Sequence, residues 1–167
     1  IIGGSNNLGG GLIEWVKQCY YQNEELPYEI MEKDAGDASL GAGGIIFLPY
    51  LLGERAPIWD YHARGAFFGL ERAHTRKEMT RAVFESTGFI DLDMIAALEE
   101  AGIAVDSIRL SGGLARLNLI SQIKADVTGR EAQVLSEFET TATGAAMIAL
   151  YGQHVYSTLQ EAAERFV

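Results

Sequence analysis

Ile108-Arg-Leu-Ser-Gly-Gly-Leu-Ala-Arg-Leu-Asn118, running on into Gln122-Ile-Lys-Ala-Asp-Val127, decides how this chain reads. Ile108 and Leu110 mark the end of a buried strand, and Gly112 and Gly113 stand at the turn where a helix follows. Two residues without Cβ atoms let a flat base, a ribose or a phosphate lie on the main chain. The helix start adds backbone N–H groups that suit an anion. A paired glycine by itself is more often an ordinary turn, so the reading depends on its surroundings.

Working outward, strand and helix signals alternate. Leu12, Ile13, Val16 and Cys19 or Tyr20 recur at helical spacing behind Gly9-Gly-Gly11, predicting a helix from about Gly10 to Tyr21. A shorter helix follows Pro27, with Gly36 near its end. Gly43-Gly-Ile-Ile-Phe-Leu-Pro49 is a short buried strand stopped by proline, and a polar loop leads to a second strand at Ala66 to Leu70. Thr75 caps a long helix whose apolar stripe includes Met79, Val83, Phe89, Ile90, Met94 and Leu98 and which ends at Gly102. Then come a strand at Ser107 to Leu110, a helix at Leu117 to Thr128, a strand at Ala132 to Leu135, and helices at Ala142 to Tyr151 and Thr158 to Phe166. Such alternation predicts an α/β layer architecture with parallel neighbours in its later half.

Composition bounds the function. A chain of 167 residues, 48% hydrophobic, suffices for one globular core. No apolar run is long enough for a bilayer, and Ile1-Ile-Gly-Gly-Ser5 has neither a basic n-region nor a cleavage pattern, so a soluble protein is expected. A net charge of −10 with thirteen Lys and Arg speaks against nucleic acid and anionic membranes as partners. The single cysteine, Cys19, excludes an internal disulfide framework and zinc spacing; a cytoplasmic setting and a helix-packing role are expected.

Competing chemistries leave no trace in the sequence. There is no G-x-x-x-x-G-K-[ST] phosphate cradle, no H-E-x-x-H, and Gly9-Gly-Gly-Leu-Ile-Glu14 departs from G-x-G-x-x-G. His62, His74 and His154 are scattered and read as surface or capping residues, so no metal site is expected.

Three segments together resemble the C-terminal domain of the FGGY family of carbohydrate kinases over nearly the whole chain. Gly53-Glu-Arg-Ala-Pro-Ile-Trp-Asp60 with Ala63-Arg-Gly-Ala-Phe-Phe-Gly-Leu70 is similar to that family's central loop and strand. Gly65, Phe67, Gly69 and Leu70 through Glu78, Met79, Ala82, Val83, Phe84 and Glu85 follow its second signature. Ser111-Gly-Gly113 with Gln122, Ala125 and Asp126, then Thr143-Gly-Ala-Ala146, resembles its adenosine-binding end.

The resemblance implies an actin-like, ribonuclease-H-like ATPase domain, a mixed sheet covered by helices. Residues 1–167 would be most of the nucleotide-binding domain of a two-domain sugar kinase. The sugar-binding domain and the catalytic aspartate would lie outside this sequence, so the chain alone is expected to be inactive. ATP and Mg2+ are the implied cofactors, with Gly10 and Gly11, before Trp15, near the phosphates and Gly112 and Gly113 under the adenosine. Leu114, Arg116 and Asn118 would line the base by apolar contact, stacking and hydrogen bonding. Gln122 and Asp126 read as ties to neighbouring backbone, and Gly144 as making room for close helix packing. Glu54, Arg55 and Asp60 read as a salt-bridged brace, Glu85 as a buried strut, and Glu14 has no settled role.

The loop and strand look closer to xylulokinase-like and gluconokinase-like members than to glycerol kinases, with D-xylulose the leading substrate. A small-molecule sugar is the expected partner, and a homodimer is compatible with this. An actin-like or chaperone-like ATPase and a nucleotide-free interaction domain remain alternatives.

Overall fold

The computed structural model describes residues 9–136 and 139–166; Ile1 to Ser5, read above for a signal sequence, lie outside them. Apolar spacing produces helix α1 (Gly9–Tyr20), which buries Leu12, Ile13 and Val16. Its first turn includes all three glycines, and it begins and ends one residue earlier than the predicted Gly10 to Tyr21. Pro27 opens α2 (Pro27–Asp37), as a ring with a fixed φ and no N–H suits a first helical turn. The long helix α3 (Arg76–Glu100) starts at a capping box in which Thr75 and Glu78 exchange hydrogen bonds. Gly102 follows it at φ 81°.

Strands β1 (Ile46–Leu48) and β2 (Ala66–Phe68) pair antiparallel with Phe47 opposite Phe67. β3 (Ser107–Leu110) and β4 (Glu131–Val134) pair parallel, joined by helix α4 (Asn118–Thr128) as a crossover. The expected mixture of parallel and antiparallel pairing is thus divided between two two-stranded sheets among the described residues. Helices α5 (Thr140–Gly152) and α6 (Leu159–Phe166) pack on each other at the end of the chain.

One core joins α1, α2, β1, the first half of α3 and α4. Trp15 stacks on Phe47 at 5.6 Å, and Phe47 meets Phe67 at 4.5 Å, fastening β1 and β2 to α1. Contacts of this kind add about 0.5–1.5 kcal/mol to area burial. The buried Tyr21 hydroxyl donates to Asp34 at 3.1 Å and lies 2.9 Å from Thr80 Oγ1. Burial pushes this phenol up to about 12. Arg76 completes the network, donating to Asp34 at 2.9 Å and to Glu24 at 2.8 Å while lying over the Tyr21 ring. α2 is thereby locked between α1 and α3.

Three local expectations are corrected. Cys19 is exposed rather than packed, because the last turn of α1 is anchored through Tyr20 and the neighbouring Tyr21. The α3 stripe is covered most fully in its first half; beyond it Phe89 and Leu92 are exposed, although Ile95 is buried. α5 buries none of its residues, and a Cβ on Gly144 would meet no described atom within 4 Å. The close packing expected at that glycine is therefore absent among the described residues.

Candidate functional site

β3 ends at Leu110 and the chain turns through Ser111 and Gly112 into a 3-10 turn at Gly113–Arg116. Gly112 has φ 78° and ψ −170°, a conformation essentially reserved for glycine, whereas Gly113 needs no positive φ. The turn is closed by Ala115 N–H to Gly112 O at 3.2 Å and Leu117 N–H to Leu114 O at 3.1 Å. A Cβ on either glycine would find no described atom within 4 Å. The space beside both glycines, on the side where a Cβ would stand, is therefore open.

The second glycine segment comes to the same place. The start of α1 lies against the Gly113–Arg116 turn, and a Cβ on Gly9 would approach Leu114 Cδ1 to 4.0 Å. Gly10 and Gly11 are exposed, and Gly10 has open space beside it. The start of α5 closes a third side. Thr140 Oγ1 donates to Ser111 Oγ at 3.2 Å, and the Arg116 guanidinium pairs with Glu139 at 3.2 Å. Asn118 is exposed as the first residue of α4, and Leu114 is half-buried against the core. The start of α1 and the start of α5 thus both adjoin the turn that carries Gly112, Gly113, Leu114 and Arg116, and Asn118 follows that turn.

The helix starts differ electrostatically. Each carries a partial positive charge that attracts anions and is neutralised by a nearby carboxylate. Contrary to expectation, the helix after the glycine pair does not offer all its N–H groups: Leu119 N–H donates to Glu32 Oε1 of α2 at 2.7 Å. α5 begins behind Glu139 as its N-cap residue. α1 has no acidic residue in its first turn, leaving it the start best suited to phosphate. Glu14 lies further along α1 and pairs with Lys17 and the Tyr28 hydroxyl. The Lys17 hydrogen bond, then that from Tyr28, lowers its carboxyl below the ordinary value, and these partners give the residue a structural role.

The central loop is braced through hydrogen bonds that involve main-chain groups, whereas the sequence reading expected a salt-bridged brace. Buried Glu54 accepts from Arg55 N–H at 2.7 Å, Glu54 N–H donates to Asp60 O at 2.8 Å, and Asp60 Oδ1 accepts from His62 N–H at 2.7 Å. A Cβ on Gly53 would fall 2.7 Å from Tyr61 backbone, which explains the glycine there. His74 takes a capping role, its Nδ1 accepting from Glu71 N–H at 2.9 Å and its Nε2 lying 3.1 Å from Gly43 O. Gln122 donates to Asp126 at 2.8 Å within α4, a pair internal to the helix rather than a tie to neighbouring backbone.

Between Pro57 and Trp59 of this loop, the second half of α3, β3 and α4 runs a groove of about 910 Å³ that reaches the glycine turn. Its walls include Met94, Leu98, Ile108, Leu110 and Ile120, and its floor carries the Lys124–Asp91 ion pair. The buried Ser121 Oγ has no hydrogen-bond partner there among the described residues. β4 takes one edge of β3, and no described strand pairs with the other. Neither Glu32 nor Ser121 was found by sequence reasoning: each matters through what another element brings beside it, and no spacing records that.

Residues 1–152 match the model of the FGGY family of carbohydrate kinases, C-terminal domain. The xylulose kinase of Staphylococcus epidermidis is 34% identical over 158 residues, which are 95% of this chain and 32% of that protein. A glycerol kinase of Clostridium beijerinckii is 36% identical over 170 residues, 98% of this chain and 32% of that protein. The crystal structure of ligand-bound xylulose kinase from Lactobacillus acidophilus superposes with a TM-score of 0.81 at 31% identity, covering 96% of this chain and 32% of that one. Gluconate kinase from the same organism gives 0.79 at 31% identity with the same coverage. The chain spans about a third of the length of the curated relatives it matches. No helix among the described residues is long and apolar enough to cross a membrane.

Proposed function

This chain belongs to the FGGY family of carbohydrate kinases, and on that premise we propose that it is the nucleotide-binding half of an enzyme that phosphorylates a sugar hydroxyl with ATP. The observation that carries the reading is the approach of the glycine-rich start of α1 to the Gly113–Arg116 turn, with open space beside Gly10, Gly112 and Gly113. Gly112 and Gly113 support the adenosine; Arg116 and Asn118 flank the base, with Leu114 as its apolar floor. Gly10 and Gly11 turn their N–H groups toward the phosphates, and the α1 start, whose first turn has no acidic residue, stabilises the negative charge there. ATP, with Mg2+ on its phosphates, supplies the transferable phosphoryl group. Mg2+ would arrive with the ATP phosphates, whose negative charge it would help to neutralise.

Phosphoryl transfer depends on positioning and charge neutralisation more than on covalent chemistry by the protein. This half fixes one reactant, and an aspartate from the sugar-binding domain outside this sequence takes the hydroxyl proton. The chain alone is accordingly inactive. D-xylulose is the proposed sugar, supported by the Gly-Glu-Arg-Ala-Pro loop, the Ala-Arg-Gly-Ala-Phe-Phe-Gly-Leu strand and the 34% identical xylulose kinase relative. Gluconate is the alternative within the family. The groove beside β3, with its unpaired strand edge and orphaned Ser121 hydroxyl, supports the view that residues 1–167 are most rather than all of this domain.

The test is a panel of D-xylulose, gluconate and glycerol offered to the intact protein with Mg·ATP, with the phosphorylated product identified by mass. Product with D-xylulose in clear preference supports the proposal. Preference for another sugar overturns the substrate, and sugar-independent ATP hydrolysis overturns the kinase reading.

A further inference from the structure

We infer that Glu32 is a positioning residue for the nucleotide loop, a role that rests on the kinase reading above. α4 has Leu117 at its N-cap and no side-chain cap of its own. An uncapped start leaves orphan N–H groups and a positive helix end without a partner. Glu32 reaches across from α2 and accepts the Leu119 N–H at 2.7 Å, a part-buried contact between residues far apart in sequence. The two helices meet at the same residue a second time, where a Cβ on Gly36 would come within 3.9 Å of Leu119 Cδ2.

The carboxylate does not hang from a loose element. Asp34, two residues along α2, is held by Tyr21 and Arg76, and Asp37 pairs with Lys77 at 2.9 Å. α2 therefore works as a strut that carries the position of α1 and α3 to the start of α4. Between Leu119 and the glycine pair stand only Leu114 to Asn118, most of them in the short Gly113–Arg116 turn, which is closed by its own two hydrogen bonds and exposes Gly113. Fixing Leu119 fixes the lower end of that turn and, through it, Gly112 and Gly113. The carboxylate also cancels the positive end of α4, which leaves the phosphates to α1 and the base to the turn. Glu32 touches neither, so it tunes nucleotide affinity without entering the transfer step.

The experiment compares the intact protein with Glu32→Ala and Glu32→Gln by steady-state kinetics in both substrates and by amide hydrogen exchange. Alanine removes the acceptor, and glutamine keeps an oxygen where the Leu119 N–H needs it. Loss of a helix cap of this kind corresponds to about a five- to tenfold weakening. The expected result is a KM for ATP raised by that factor in Glu32→Ala, with kcat and the sugar KM within about twofold, and near-parental values in Glu32→Gln. Exchange is expected to quicken at Gly113 through Leu119 in the alanine variant alone. An unchanged KM for ATP with parental exchange rates, or a glutamine variant as impaired as alanine, overturns the role of Glu32. A parent that transfers no phosphoryl group from ATP to any sugar overturns the kinase reading itself, and the role of Glu32 falls with it.

Discussion

Glu85 Oε1 accepts hydrogen bonds from Arg81 Nε at 2.7 Å and from the Gly41 N–H at 3.0 Å, so one buried carboxylate oxygen joins α3 to the turn that precedes β1. Gly41, Ala42, Gly43 and Gly44 all have positive φ, from 52° to 94°, and such a run persists only where its surroundings impose it. Arg81 reinforces the tie by donating to Ala35 O at 3.4 Å. Glu85 is the strut expected from its apolar neighbours on α3.

Glu85→Ala leaves the Arg81 guanidinium buried without its carboxylate and the Gly41 N–H without an acceptor. Breaking a buried pair from one side costs about 3–5 kcal/mol. Glu85→Gln keeps an acceptor for Gly41 and is expected to cost less. Urea denaturation of the intact protein and both variants measures the difference; equal stability of Glu85→Ala and the parent contradicts the assignment.

Acid weakens the start of α3 in a defined direction. The Thr75 main-chain N–H and hydroxyl both donate to Glu78 Oε2 at 2.8 Å, and the main-chain bond is the largest cause lowering the Glu78 carboxyl below its ordinary 4.5. A carboxylate whose value is lower in the folded state contributes stability that is complete above 4.5. That stability is lost as pH falls through the lowered value. Glu78→Gln is therefore expected to melt below the parent at pH 6 and to converge with it in strong acid. A gap that widens with acid refutes the sign.

The two glycines of the nucleotide turn separate stability from binding. Gly112 occupies backbone space that a side chain enters at a cost of about 1–3 kcal/mol, so Gly112→Ala is expected to lower Tm. Gly113→Ala meets no protein atom and no positive φ, and its Tm is expected to match the parent while nucleotide affinity falls. Calorimetric melts beside binding titrations distinguish these outcomes.

Much of this was legible because the determining forces are local. The period of Leu12, Ile13 and Val16 sets α1, Pro27 sets the start of α2, and the Thr75–Glu78 spacing sets α3. Gly112 and Gly113 mark their turn because no other residue pair leaves its backbone so open. What the sequence concealed depends on elements meeting in space. The Glu32 carboxylate on the α4 start, the approach of α1 to the Gly113–Arg116 turn and the exposed α5 each depend on how helices are laid against one another. Cys19 is instructive: its spacing fits the inward face of α1, but burial also requires a neighbour at that height, and α1 is anchored there through Tyr20 and Tyr21.

The most direct test of the account is a calorimetric titration of the intact protein with Mg·ADP beside Gly113→Val. The Cβ of the added side chain would meet no described atom within 4 Å and would project into the open face of the turn. The parent is expected to bind, and the variant, with an unchanged Tm, to bind at least about tenfold more weakly, a loss of about 1.4 kcal/mol. Equal binding by the two proteins would place the nucleotide elsewhere and contradict the account.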